Sequence, residues 1–144
     1  MDVGRHPRIK LLTFSEIDSV KGYVGNFDVV VRKKAKYVKE GECNACGECV
    51  KVCPVVKPDE YQAGFSSRRA IYIPFPQAVP SSYLINIDDC LGLNPIACGK
   101  CLEVCDKRCI DFDMKDELIS FKVGTIIVAT GMDVYDPTEL GEYG

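Results

Sequence analysis

Apolar and polar positions along the chain fall into three regimes. Near the start, IKLLTF (Ile9 to Phe14) is a short apolar run. Val20 to Val24 and Phe27 to Val31 then flank the pair Gly25-Asn26, a dipeptide suited to a tight hairpin turn. In the second arm Phe27, Val29 and Val31 alternate with Asp28, Val30 and Arg32, so one face is apolar; Ala35 and Tyr37 keep the same parity and extend the expected strand. Near the other end Ile119, Phe121 and Val123 alternate with Ser120 and Lys122. TIIVATG, Thr125 to Gly131, follows as a continuous apolar run closing on glycine, the pattern of a strand buried on both faces of a parallel sheet. A lone parallel strand has no partner, so this pattern predicts β pieces of a larger α/β domain.

Between these ends, residues 40–114 show little periodicity. Six of the eight prolines lie here, and IPFPQAVP is expected to be extended and stiff around Pro74, Pro76 and Pro80. Two short helices are predicted, Glu48 to Val52 and Lys100 to Val104, each placed by its cysteines. All nine cysteines fall between Cys43 and Cys109. The chain is thus expected to divide into β segments at 1–39, a cysteine-rich insertion at 40–114, and returning strands at 115–144. A metal centre would explain how so aperiodic a segment folds, because metal binding there supplies folding free energy.

Composition narrows the picture. The 144 residues are 47% hydrophobic and 27% charged, as in ordinary globular chains, and the net charge of −3 gives no general attraction to nucleic acid. The basic run Arg32, Lys33, Lys34, Lys36 and Lys39 is read as the solvent face of a strand. No run approaches the roughly 18 apolar residues of a membrane span. The stretch MDVGRHPRIK has no apolar core and is not a secretory signal. A cytoplasmic chain is therefore expected, where thiols stay reduced and many cysteines favour metal ligation over disulfides.

Cys43, Cys46, Cys49 and Cys53 obey C-x2-C-x2-C-x3-C and are followed by Pro54. That is the iron–sulfur spacing of bacterial ferredoxins, in which the fourth cysteine serves the other of two clusters. A cysteine at every third position of a tight loop wraps three thiolates around one corner of a cubane. The same loop points backbone N–H groups at the sulfurs. Cys90, Cys98, Cys101 and Cys105 form a second set, C-x7-C-x2-C-x3-C, with LGLNPIA bulging between the first two and Asp106 in place of proline. Crossing the fourth ligands assigns Cys43, Cys46, Cys49 and Cys105 to cluster one, and Cys53, Cys90, Cys98 and Cys101 to cluster two. Two [4Fe-4S] clusters are expected, so close together that single electrons can pass between them.

A structural zinc module competes with this reading, since thiolates also bind zinc. Zinc, however, has no use for three cysteines at successive i, i+3 positions. Cys109 reads as a small hydrophobe filling the core, with a substitute ligand or redox-sensitive thiol as the rival. His6, beside Pro7, reads as an exposed turn residue. Arg68 and Arg69 either dock an acidic partner or face solvent, and Asp88 and Asp89 cap or solvate the loop before Cys90. With one remote histidine, no nucleophile–base set can be assembled. Neither G-x-G-x-x-G nor a P-loop is present.

CNACGECVKVCP, the loop SSRRAIYIPFPQAVPSSYLINIDDC, CGKCLEVC and VGTIIVATGMDVYDP together resemble the A subunits of heterodisulfide reductases, a flavin- and iron–sulfur-containing family of methanogenic archaea and their relatives. The resemblance covers essentially the whole chain. It implies an α+β fold: a bacterial-type dicluster ferredoxin domain inserted between β segments of a thioredoxin-reductase-like α/β flavin domain. It further implies FAD in a longer parent protein, with Thr130 and Gly131 of the ATG strand end near the flavin. Implied partners are the rest of the flavin subunit, other heterodisulfide reductase subunits, a hydrogenase or dehydrogenase donor, and ferredoxin. The implied role is electron transfer within flavin-based electron bifurcation. The family's dinucleotide glycine motif and C-terminal ferredoxin are not found here, so a partial chain is expected. A self-sufficient dicluster ferredoxin is the alternative; such a carrier has no need of the TIIVATG strand.

Overall fold

The computed structural model describes Gly4, residues 6–92 and 97–132, Thr138 and residues 140–142. Its elements in chain order are β1 (Ser15–Tyr23), β2 (Asn26–Lys33), α1 (Glu48–Val52), β3 (Lys57–Pro58), β4 (Ser67–Arg68), β5 (Ile71–Tyr72), β6 (Leu84–Ile85), α2 (Lys100–Glu103) and β7 (Glu117–Val123). A single turn of 3-10 helix, Glu60–Gln62, lies between β3 and β4. Small sheets and two short helices make this an α+β structure.

The alternating segments form an antiparallel sheet in the order β1-β2-β7. Ile17 pairs with Val31 and Val20 with Val29 on one side, while Val29 faces Phe121 and Val31 faces Ile119 on the other. These pairs build the single apolar face that the sequence pattern predicts. The hairpin loop differs by one residue from the expected Gly25-Asn26. Asn26 pairs with Tyr23, so Val24 and Gly25 make the turn and Gly25 takes the positive φ of 90°. Gly22 is required for a second reason: at φ 106°, a Cβ on it would collide with the Asn26 carbonyl oxygen.

Strand β2 ends at Lys33 and does not continue through Tyr37. The Lys34 N–H donates to the Phe14 carbonyl at 3.0 Å, the Ala35 N–H donates to the Asp116 carboxylate at 2.9 Å, and Tyr37 turns into the left-handed region at φ 57°. The chain then threads between two other segments. The Ile85 N–H donates to the Lys36 carbonyl (3.0 Å), the Asp111 N–H to the Tyr37 carbonyl (3.0 Å), and the Lys39 N–H to the Cys109 carbonyl (2.8 Å). Val38, Cys49, Ile71, Ile85, Cys109 and Ile110 form the buried core around this threaded segment.

Three expectations need correction. IPFPQAVP is not uniformly extended: it turns where the Ala78 N–H donates to the Phe75 carbonyl at 3.0 Å, and the Val79–Pro80 peptide is cis. In the basic run Lys36 is buried, its ammonium held by the Thr13 hydroxyl at 2.5 Å and by Glu40. Arg32 and Lys34 pair with Asp18 and Glu16 across the sheet, at 2.5 and 2.7 Å. Finally, Thr125 to Gly131 forms no strand, and Ile127 and Val128 are 89% and 76% exposed. A two-sided apolar strand is stable only between neighbours, and the described residues supply none beside it. Asp133 to Pro137, which follow in the same motif, lie outside the described residues.

Ile85 is among the most deeply buried side chains and packs where β6 meets the threaded segment. Ile85→Ala is therefore expected to cost about 2–5 kcal/mol, whereas Ile127→Ala in this chain should stay within about 0.5 kcal/mol. Denaturant titration of the two variants separates these values.

Candidate metal centre

The glycine preceding each helix shapes its thiol loop. Gly47, before α1, and Gly99, before α2, both adopt left-handed backbone, at φ 85° and 68°. Each lies between two cysteines, in CGEC and CGKC, so the chain reverses and brings both thiols to one side. The helices pack against each other. Helix α1 matches its expected bounds, and α2 ends one residue early because Val104 serves as its C-cap.

Two hollows flank the helix pair. One, of about 250 Å³, is lined by Cys43, Cys46, Cys49 and Cys105, with Cys109 beside them. The other is tighter, about 20 Å³, and is lined by Cys53, Cys90, Cys98 and Cys101. Ile71 lines both. Each hollow thus draws thiols from both halves of the sequence: Cys105 joins the first motif and Cys53 the second. Residues Leu93 to Ile96, within the expected bulge, lie outside the described residues.

Nearby backbone polarity eases ionisation of several of the thiols. The Val50 backbone favours the thiolate of Cys49, the Leu102 backbone that of Cys101 and the Gly92 backbone that of Cys90. Burial acts in the opposite direction and is stronger. It pushes the Cys49 thiol up to about 12, with Cys43 adding to the effect, and the Cys101 thiol up to about 11, with Cys90 adding to it. Cys90 is raised for the same reason. A soft cationic group matches this donor set, since buried thiolates need a positive partner there. Among the described residues, no three His, Cys, Asp or Glu side chains gather as a site for one metal ion.

Cys109 is 3% exposed, fixed by its carbonyl's bond to Lys39, and its sulfur lies 3.5 Å from that of Cys105. Burial, with Cys105 next, pushes its thiol up to about 12. It is core filler by position, but it also lines the first hollow. His6 is exposed and accepts a hydrogen bond from the Arg8 N–H at 3.2 Å. Thr130 and Gly131 are exposed and far in sequence from the thiols.

Arg68 behaves differently from either sequence expectation, and Arg69 is half-buried. Arg68 is 7% exposed, so it neither docks a partner nor faces solvent. Its Nε and Nη2 donate to Glu60 at 2.5 and 2.6 Å, Nη2 also meets Asp89 at 3.1 Å, and Nη1 donates to the Arg69 carbonyl at 3.2 Å. The guanidinium lies 4.2 Å from the centroid of the Tyr72 ring. Asp89 also pairs with Lys57 at 3.4 Å, and so is an internal anchor next to Cys90 where a solvated cap was expected. The sequence signal available was an adjacent arginine pair and an adjacent aspartate pair within one non-periodic loop. Their pairing depends on tertiary contact.

No protein-family profile matches the chain. Curated relatives do match over its whole length. The chain is 47% identical to the A subunit of H2:CoB-CoM heterodisulfide,ferredoxin reductase from Methanothermobacter thermautotrophicus, covering 100% of this chain and 21% of the relative. It is 45% identical to the iron-sulfur A subunit of CoB–CoM heterodisulfide reductase from Methanocaldococcus jannaschii, with the same coverage. Against the A subunit of ferredoxin:CoB-CoM heterodisulfide reductase from Methanosarcina acetivorans it is 46% identical, over 99% of this chain and 18% of the relative. A thiol-rich α+β chain is thus homologous throughout to an iron–sulfur protein sequence. In particular, it corresponds to a segment of the heterodisulfide reductase A subunit, spanning about one fifth of that subunit's length.

Glu60 supplies a pH-dependent contact. The Arg68 hydrogen bond holds its carboxyl down at about 2. A depressed carboxyl contributes stability above its unfolded value, near 4.5, and loses it as pH falls toward about 2. Acid titration should therefore loosen the 57–68 loop between about pH 5 and pH 2, and Glu60→Gln should flatten that part of the stability–pH curve. An unchanged slope in the variant would contradict this assignment.

Proposed function

We propose that the chain is an electron-transfer module of a heterodisulfide-reductase-type, flavin-based electron-bifurcating subunit, and that it holds two [4Fe-4S] clusters. Cys43, Cys46, Cys49 and Cys105 would hold one, and Cys53, Cys90, Cys98 and Cys101 the other. The observation that carries this reading is the pair of hollows, each lined by thiols drawn from both cysteine motifs, with Cys109 as a fifth in the first. When bound, such clusters supply reversible one-electron chemistry over potentials from about −700 to +450 mV.

The chain's own residues have defined tasks. The glycine turns at Gly47 and Gly99 gather the thiols, and the local backbone at Val50, Gly92 and Cys101 favours their ionised forms. Val38, Ile71, Ile85 and Ile110 exclude water from the core between them. Ile71 lines both hollows, so an apolar side chain stands between the two thiol sets. Adjacent sites of that kind suit the exchange of single electrons.

Residues 1–39 and 115–144 are assigned to the parent's flavin domain, with 40–114 as the insertion. Support comes from the exposed apolar run at Thr125–Gly131, which needs neighbouring strands, and from relatives about five times longer than this chain. In that parent Thr130 and Gly131 would approach FAD. Partners would be the rest of the flavin subunit, the other heterodisulfide reductase subunits, a hydrogenase or dehydrogenase donor, and ferredoxin, which appears in the names of two of the relatives described above.

Anaerobic purification with iron, sulfide and zinc analysis tests the reading. The residues 40–114 should account for about eight irons and an equal amount of acid-labile sulfide. Stoichiometric zinc without sulfide would refute it.

A further inference from the structure

The second thiol set is gathered from three places. Cys98 and Cys101 arrive together on the Gly99 turn and α2. Cys53 comes from the C-cap of α1, and Cys90 from a turn in which its N–H donates to the Asn86 carbonyl at 3.1 Å. Those last two segments are far apart in sequence, and neither shares an element with α2. Packing of α1 on α2 relates Cys53 to Cys98 and Cys101, and other contacts must tie in the Cys90 segment.

Arg68 and Arg69 stand between the Cys53 and Cys90 segments. The Arg69 Nη1 donates to the Val55 carbonyl at 3.4 Å, two residues beyond Cys53. The Arg68 Nη2 meets the Asp89 carboxylate at 3.1 Å, one residue before Cys90. Their shared backbone is anchored independently, because Arg68 pairs with Lys57 in the β3–β4 ladder and Lys57 in turn reaches Asp89. The Asn86 N–H donates to the Ala70 carbonyl at 2.8 Å, closing the frame from the other side. At the Arg68–Asp89 pair the side chains are only 5% and 14% exposed, so the contact is shielded from solvent and salt. Glu60, Asp89, the Arg69 carbonyl and the Tyr72 face occupy the guanidinium from four directions, which a lysine ammonium with its single charged atom cannot reproduce.

We propose that Arg68 and Arg69 are positioning residues for the second metal site, clasping the Cys53 and Cys90 segments so that these thiols meet Cys98 and Cys101. This rests on the two-cluster reading above. The clasp accounts for tolerance of the long C-x7-C gap: Cys90 is located by Asp89 and the arginine, and does not depend on its spacing from Cys98.

The test uses the intact protein, purified anaerobically, with Arg68→Met, Arg68→Lys and Asp89→Asn compared with the unmodified form. Iron and sulfide content and the EPR spectrum of the dithionite-reduced protein are measured for each. Arg68→Met should lose about four irons and four sulfides per chain, and its spectrum should lose the contribution of one reduced cluster. Arg68→Lys and Asp89→Asn should retain part of that iron, since each keeps one half of the contact. The first cluster, whose thiols the arginines do not touch, is the internal control for folding. Arg68→Met with full iron and an unchanged spectrum would overturn the proposal, as would loss of both clusters together. Unmodified protein without acid-labile sulfide would overturn the cluster reading itself and this inference with it.

Discussion

The four residues from Lys36 to Lys39 hold the thiol-bearing region together. Their backbone is hydrogen-bonded to Ile85 on one side and to Cys109 and Asp111 on the other. The Cys43 N–H then donates back to the Lys39 carbonyl at 3.1 Å, so the first cysteine loop starts from the same ladder. Through these bonds the entry to the first motif, the strand leading to Cys90 and the segment after Cys105 share one frame. Val38 fills its centre, packed with Ile85, Ile110 and the Cys109 thiol. Without this frame, no local element would relate the two motifs, because each helix is a single turn or little more.

The same frame packs several of the thiols against the buried core. Desolvation disfavours the thiolates at Cys49, Cys90 and Cys101, and the neighbouring backbone only partly compensates. The arrangement is therefore costly as a set of bare anions and well matched to cationic groups. The two hollows are not equivalent. The first is roomy and carries an extra thiol in Cys109, whereas the second is tight and relies on the Arg68–Asp89 pair to locate Cys90.

The sequence reveals most where local chemistry dictates geometry. Cysteines at three-residue spacing with an intervening glycine predict α1 to the residue, because thiol placement and the left-handed turn leave little choice. Alternation in Phe27 to Val31 and Ile119 to Val123 likewise reads directly as strands with one apolar face. Features that depend on a distant partner are not legible. Tyr37 leaves the strand because its segment is claimed by Cys109 and Ile85, a contact no periodicity encodes. Arg68 looks like a surface residue until Glu60, Asp89 and Tyr72 surround it. TIIVATG has the composition of a buried strand, but among the described residues no strand pairs with it and it is exposed.

The central claim is that two four-iron clusters lie side by side across the Ile71 partition. EPR of the fully reduced protein, taken stepwise through a redox titration, tests it directly. With one cluster reduced, a simple rhombic signal is expected. With both reduced, that signal should broaden and split through spin–spin interaction between neighbouring clusters. Two additive, non-interacting signals at full reduction, or a protein silent at every potential, would contradict the account.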